Sequence, residues 1–77
     1  MNISSGALKH GITEEEIHTV LAAPLRTVAQ GERTLLIGVG TGRDLLEVVH
    51  DGERVLHAMR LRPKNYPHLT DGLPGPG

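Results

Sequence analysis

Four extended runs follow one another with almost nothing between them. They are "RTVAQ", "RTLLIGV", "DLLEVVH" and "ERVLHAMRL", spanning residues 26 to 61. Parallel neighbours need a crossover of a dozen or more residues, whereas antiparallel neighbours need only a turn. The joins here are Gly31-Glu32, "GTGR" and Asp51-Gly52, each of turn length. The chain is thereby limited to an antiparallel meander. Asp-Gly between alternating runs is a strong hairpin signal and predicts a two-residue type I′ turn.

Those turns predict a register. A turn at Asp51-Gly52 pairs His50 with Glu53, Val48 with Val55, Leu46 with His57, and Asp44 with Met59. A four-residue "GTGR" loop pairs Val39 with Asp44, Ile37 with Leu46, and Leu35 with Val48; the turn at Gly31-Glu32 places Val28 opposite Leu35. Side chains alternate across a strand. One face then carries Val28, Leu35, Ile37, Val39, Leu46, Val48, Val55, His57, Met59 and Leu61, and is nearly all apolar. His57 is expected to be buried there with a hydrogen-bonded ring nitrogen. The opposite face mixes aliphatics (Leu36, Leu45, Val49, Leu56) with Arg43, Glu47, Arg54, Arg60 and Arg62. Little chain remains to cover it, and exposed apolar faces usually meet a partner.

Helices precede the strands. Ser4 or Ser5 can cap a single turn that Gly11 stops. In "TEEEIHTVLAAP", Thr13 and Glu16 have capping-box spacing, Ile12 and Ile17 suit a hydrophobic staple, and Pro24 ends the run. Glu14, Glu15 and Glu16 stand in the first turn, where the helix dipole favours acids, so the acidic run is explained structurally. The fold class is α+β: N-terminal helices on one face of a four-stranded antiparallel meander. Residues 1–69 form one domain, and the Gly/Pro-rich residues 70–77 are expected to be a disordered tail.

Composition narrows the function. The chain of 77 residues has no Phe, Trp or Cys and a single tyrosine, Tyr66. Disulfides and cysteine-based zinc sites are excluded. A small core without large rings often relies on a partner, so a homodimer or hetero-complex is expected. No apolar run is long enough to span a membrane, and the default location is cytoplasmic. A formal net charge of −1 argues against nonspecific coating of nucleic acid. The basic residues nevertheless gather: Arg54, Arg60, Arg62 and Lys64 lie in a stretch free of acids.

Two tempting motifs have plainer readings. "GVGTGR" leads into a strand rather than a helix, so a hairpin needing positive φ explains its glycines better than a phosphate cradle does. The five histidines fall on different elements. They form no recognisable ligand pair, and neither metal nor cofactor is expected. Arg60 and Arg62, two apart on a strand, should project together, and arginine forks suit phosphate oxygens.

Lys9-His10-Gly11, Pro24-Leu25, Ile37-Gly38, Gly42-Arg43 and the run from His57 to Lys64 occur in the order seen in one family. Across residues 7 to 66 the chain resembles the BrnT-like toxins of bacterial toxin–antitoxin systems. It departs from their pattern in lacking an aromatic-rich strand before the first helix, in having "RPKNYPHL" where a further helix is usual, and in its balanced charge. The resemblance implies a RelE/ParE-like fold, a ribonuclease that stalls translation, an RNA substrate and a cognate antitoxin as partner.

Metal-free RNA cleavage needs a base for the 2′-hydroxyl, stabilisation of the phosphorane and an acid for the leaving oxygen. Glu47 is the candidate base; its alternative role is an ion pair with Arg54 or Arg60. Arg60 and Arg62 would hold the phosphate, with Lys64 or His10 as acid or second clamp. The resemblance favours Lys9, His10, Arg60, Arg62 and Lys64 over Glu47. Lys9, Arg43, Arg54 and Tyr66 are the expected RNA-binding residues. The competing reading is a non-catalytic protein-binding module or homodimer that uses the open sheet face.

Overall fold

A computed structural model describes residues 1–70. The expected tail lies outside the described residues except for Thr70, whose backbone N–H donates to the Pro67 carbonyl. The fold is α+β, as expected, but the sheet has five strands and is mixed rather than four-stranded and antiparallel. The strands are β1 (Asn2–Ile3), β2 (Arg26–Gln30), β3 (Arg33–Val39), β4 (Leu45–His50) and β5 (Arg54–Arg60), in the spatial order β1-β5-β4-β3-β2. The extra strand, β1, pairs parallel to the start of β5, placing Asn2 opposite Arg54. Two residues carry no readable periodicity, so the sequence signals no strand there.

Helices α1 (Ser5–Leu8) and α2 (Glu14–Ala22) follow their capping signals. The Ser4 side chain accepts from the Ala7 amide, and Thr13 and Glu16 form a reciprocal capping box. Ile12 and Ile17 are buried together, as a staple across that cap requires. A 3-10 helix, Pro63–Leu69, ends the described chain.

The β2–β3 hairpin keeps the expected register, with Val28 opposite Leu35. The next two do not. Gly40 N–H donates to the Asp44 carbonyl at 3.0 Å and Arg43 N–H to the Gly40 carbonyl at 3.1 Å, with Arg43 at φ 66°. This is a three-residue connection, Thr41 to Arg43, whose last residue is left-handed. The expected loop was one residue longer, so Val39 pairs with Leu45 instead of Asp44, and Ile37 with Glu47 instead of Leu46.

In the β4–β5 hairpin the turn residues are Gly52-Glu53, not Asp51-Gly52. Asp51 N–H donates to the Arg54 carbonyl, and Gly52 supplies the positive φ, 96°. The Asp51 carboxylate accepts from the Arg54 and Glu53 amides, and those bonds hold its pKa below the usual range. A bulge between Val49 and His50 adds a further offset, so Leu46 faces Arg60 rather than His57.

A one-residue slip inverts a strand. The β3–β4 register moved by one residue and the β4–β5 register by three, both odd. The two inversions cancel from His57 onward; β4 is left turned over, and Val55, which precedes the bulge, goes with it. Leu46 and Val48 therefore join Leu36, Val55 and Ala58 beneath the helices, packed with Ala7, Ile12, Ile17 and Val20. Gly38 permits that approach: a Cβ there would stand 3.1 Å from a Val20 methyl. Leu35 and Ile37 face the other way with Leu61, packed with Val28, Val49 and Leu69 of the 3-10 helix. The helices thus cover the face of Leu36, which was expected to be open, while the face of Val28, Leu35, Ile37 and Leu61, expected to be the core beneath them, is partly covered by the C-terminal segment. Arg26 ties the cover down by donating its Nε–H to the Leu69 carbonyl at 3.1 Å. No helix among the described residues is long and apolar enough to cross a membrane.

Candidate functional site

The turned-over strand puts Glu47 on the face of the second cluster, opposite Met59, where it is 0% exposed. A carboxylate in that position needs partners, and the end of β5 supplies them. The last ladder bond runs from Leu61 N–H to the Leu45 carbonyl. Arg62 is extended, φ −86° and ψ 149°, as the residue before Pro63 should be. Its backbone N–H is thereby free to donate to Glu47 Oε1 at 2.9 Å. Its side chain folds back, with Nε and Nη2 donating to Oε2 at 3.0 and 2.6 Å. Asn65, buried in the 3-10 helix, donates to Oε1 at 3.0 Å, and His57 Nε2 lies 2.9 Å from Oε2.

Burial by itself raises the Glu47 pKa. The bonds from the Arg62 side chain, the Arg62 amide, Asn65 and His57 outweigh it and hold the value at about 2. The same carboxylate raises the Arg62 pKa further. A carboxylate this acidic, with both oxygens occupied and no path to solvent, is poorly suited to take a substrate proton. Its effect falls on His57. Because Glu47 only accepts, His57 Nε2 carries the hydrogen, and in the neutral ring Nδ1 is then the acceptor nitrogen. Arg62 Nη2 donates to Oε2 at 2.6 Å and stands 3.5 Å from that Nε2, a much longer contact.

The His57 side chain is 24% exposed. The ring of His10, which follows α1, meets it edge-on with centroids 5.6 Å apart. His10 also lines a cleft of about 350 Å3 with Gly11, Ile12, Met59 and Arg60. Arg60 is 77% exposed and reaches Asp44 at 3.4 Å.

The structure therefore brings His10, Glu47 and Arg62 together through His57. Arg60 stands nearby at the end of β5, and Lys9, exposed, precedes His10. Arg60 and Arg62 do not form the expected outward row, because Arg62 turns in to Glu47. Glu47 pairs with neither Arg54 nor Arg60. Arg54 lies at the opposite end of β5, six residues and about 20 Å away along the strand. Arg43 sits in the β3–β4 turn; Lys64 and Tyr66 are exposed on the 3-10 helix. Asn65 and the orienting partner of His57 were not read from the sequence. The buried-polar position of Glu47 would have signalled them, and it appears only in the true register. Among the described residues no three His, Cys, Asp or Glu side chains converge as a metal site requires.

Comparison with protein families, with curated proteins and with solved structures finds no match to this chain.

Proposed function

We propose that this protein is a small metal-independent ribonuclease of the toxin type, with RNA as substrate and a cognate antitoxin as partner. One observation carries the reading: an exposed imidazole, His10, against a second imidazole, His57, whose tautomer a buried carboxylate dictates. His57 Nδ1 takes the proton of the 2′-hydroxyl. The O2′–P bond forms as the P–O5′ bond breaks. His10, as imidazolium, gives its proton to O5′, leaving a 2′,3′-cyclic phosphate and a 5′-hydroxyl. Arg60, with Lys9 beside His10, stabilises the extra charge of the phosphorane. Glu47 and Arg62 act as positioning residues, not as base and clamp.

The test is cleavage of an RNA oligonucleotide by purified protein, alongside growth after induced expression. Products ending in 2′,3′-cyclic phosphate are expected, with no cleavage of a 2′-deoxy strand. His57→Ala and His10→Ala should each lower the rate about 10²- to 10⁴-fold, the usual range for a lost acid or base. A folded protein that leaves RNA intact and growth unaffected overturns the reading. A non-catalytic binding module then takes its place. It is favoured by Val39 and Leu45, cross-strand partners that both stay exposed.

A further inference from the structure

Between the 3-10 helix and the ends of β4 and β5 lies a groove of about 480 Å3. Its apolar lining comes from Leu45, Leu61 and Leu69, and Tyr66 supplies an aromatic ring that is 53% exposed. Asp44 and Arg60 line this groove and also the cleft that holds His10. Their ion pair thus stands between an apolar slot with one aromatic ring and a pair of imidazoles.

We infer that this groove is a nucleobase subsite and that it selects bases bearing an exocyclic amino group. The inference rests on the ribonuclease reading and names what that site recognises. The volume lies within the range typical of small-molecule pockets. Aromatic rings beside cationic side chains are the usual means of holding single-stranded bases, because every base has a face to stack. The Asp44–Arg60 pair is long and exposed on both sides, and such pairs contribute little. A phosphate can therefore replace Asp44 on the Arg60 fork, which suits two oxygens. That places a phosphate at the ridge, the base in the groove and the scissile bond toward His10. Asp44, once released, is an acceptor at the groove rim. Thr70 also lines the groove, and its hydroxyl donates to the Pro67 carbonyl at 3.2 Å, which leaves the oxygen as an acceptor. Two acceptors suit the amino group of cytosine or adenine and disfavour the O4 of uracil.

The experiment is an NMR titration of the intact protein with cytidine 3′-monophosphate, uridine 3′-monophosphate and ribose 5-phosphate. The cytidine nucleotide should shift the Tyr66 ring and the Leu61 and Leu69 methyls, and should bind roughly tenfold or more tighter than ribose phosphate. Uridine nucleotide should bind more weakly than cytidine, and Asp44→Asn should narrow that difference. Tyr66→Ala should remove most of the base contribution and leave ribose phosphate binding unchanged, while Tyr66→Phe keeps the stacking. Equal binding of nucleotide and ribose phosphate, or an unmoved Tyr66 ring, overturns the subsite. So would shifts of the same methyls on adding a leucine-bearing peptide but none with nucleotide, since the groove would then hold a protein side chain. RNA cleavage that depends on His10 and His57 but ignores Tyr66 would sink the subsite and leave the ribonuclease standing. Nucleotide binding at Tyr66 without cleavage would keep the subsite and remove the ribonuclease.

Discussion

Glu47 Oε2 and Arg62 Nη2 meet at 2.6 Å across the end of the sheet, and Glu47 is fully buried. The contact joins the middle strand to the segment that covers the second face. Removing the carboxylate strands the donors of Arg62 and Asn65. Glu47→Ala is expected to cost about 1–3 kcal/mol, the range for leaving buried donors unsatisfied, because the Arg62 side chain itself is partly open to solvent, and urea denaturation measures it. For a chain this small that is a large fraction of the total stability.

The same contact predicts acid sensitivity. The folded-state pKa of Glu47 is depressed from 4.5 to about 2. A depressed carboxylate contributes stability that is fully present above its unfolded pKa and is lost as pH falls through its folded pKa. The loss therefore runs from about pH 4.5 down to about pH 2, and linkage makes it of order 3 kcal/mol. Unfolding free energies across that window should fall steeply in the wild type and much less in Glu47→Gln. Equal slopes would show that Glu47 is not the group responsible.

Arg60 and Arg62 should part company on mutation. Arg62→Ala removes two bonds from a buried carboxylate and keeps only the backbone one of the three that Arg62 makes. A stability loss of about 2–3 kcal/mol is expected, and any loss of function would be partly a loss of fold. Arg60→Ala removes an exposed pair and should change stability by no more than about 0.5 kcal/mol. Thermal denaturation of the two variants side by side separates the roles.

Arg43 occupies a left-handed position, φ 66°, in a turn whose geometry favours glycine. The left-handed conformation costs an L-residue roughly 1–2 kcal/mol, and glycine loses part of that gain through its freer unfolded state. Arg43→Gly should stabilise the protein by about 0.5–1 kcal/mol. Arg43→Val should destabilise it by at least as much, because a β-branched side chain tolerates positive φ least. An unchanged denaturation midpoint in both would mean the turn is not left-handed in solution.

Much of this molecule follows from local rules, and those parts were legible in the sequence. Caps depend on residues three apart, so Ser4, Thr13 and Glu16 announced both helices. Short joins dictated an antiparallel core, and the Gly31-Glu32 turn set its hairpin correctly. The tertiary structure decided where each long hairpin turns. "GTGR" accommodates a three- or a four-residue connection, and the choice placed arginine where glycine was expected to carry the positive φ. Asp51 has a side chain able to replace a backbone acceptor, which moved the second turn by one residue. The shorter loop inverts β4, the shifted turn alone moves the register by two and keeps the faces, and the bulge at Val49/His50 supplies the second inversion. The two inversions cancelled from His57 onward, so His57, Met59 and Leu61 share a face with Leu35 and Ile37 as the alternation predicts. They did not cancel for β4. Glu47 was therefore carried beneath the C-terminal segment, and the His57–Glu47–Arg62 cluster exists because of it. Spacing along a strand specifies which residues alternate. Only packing against the rest of the chain decides which face is which, because the energy that distinguishes them belongs to contacts between residues far apart in sequence.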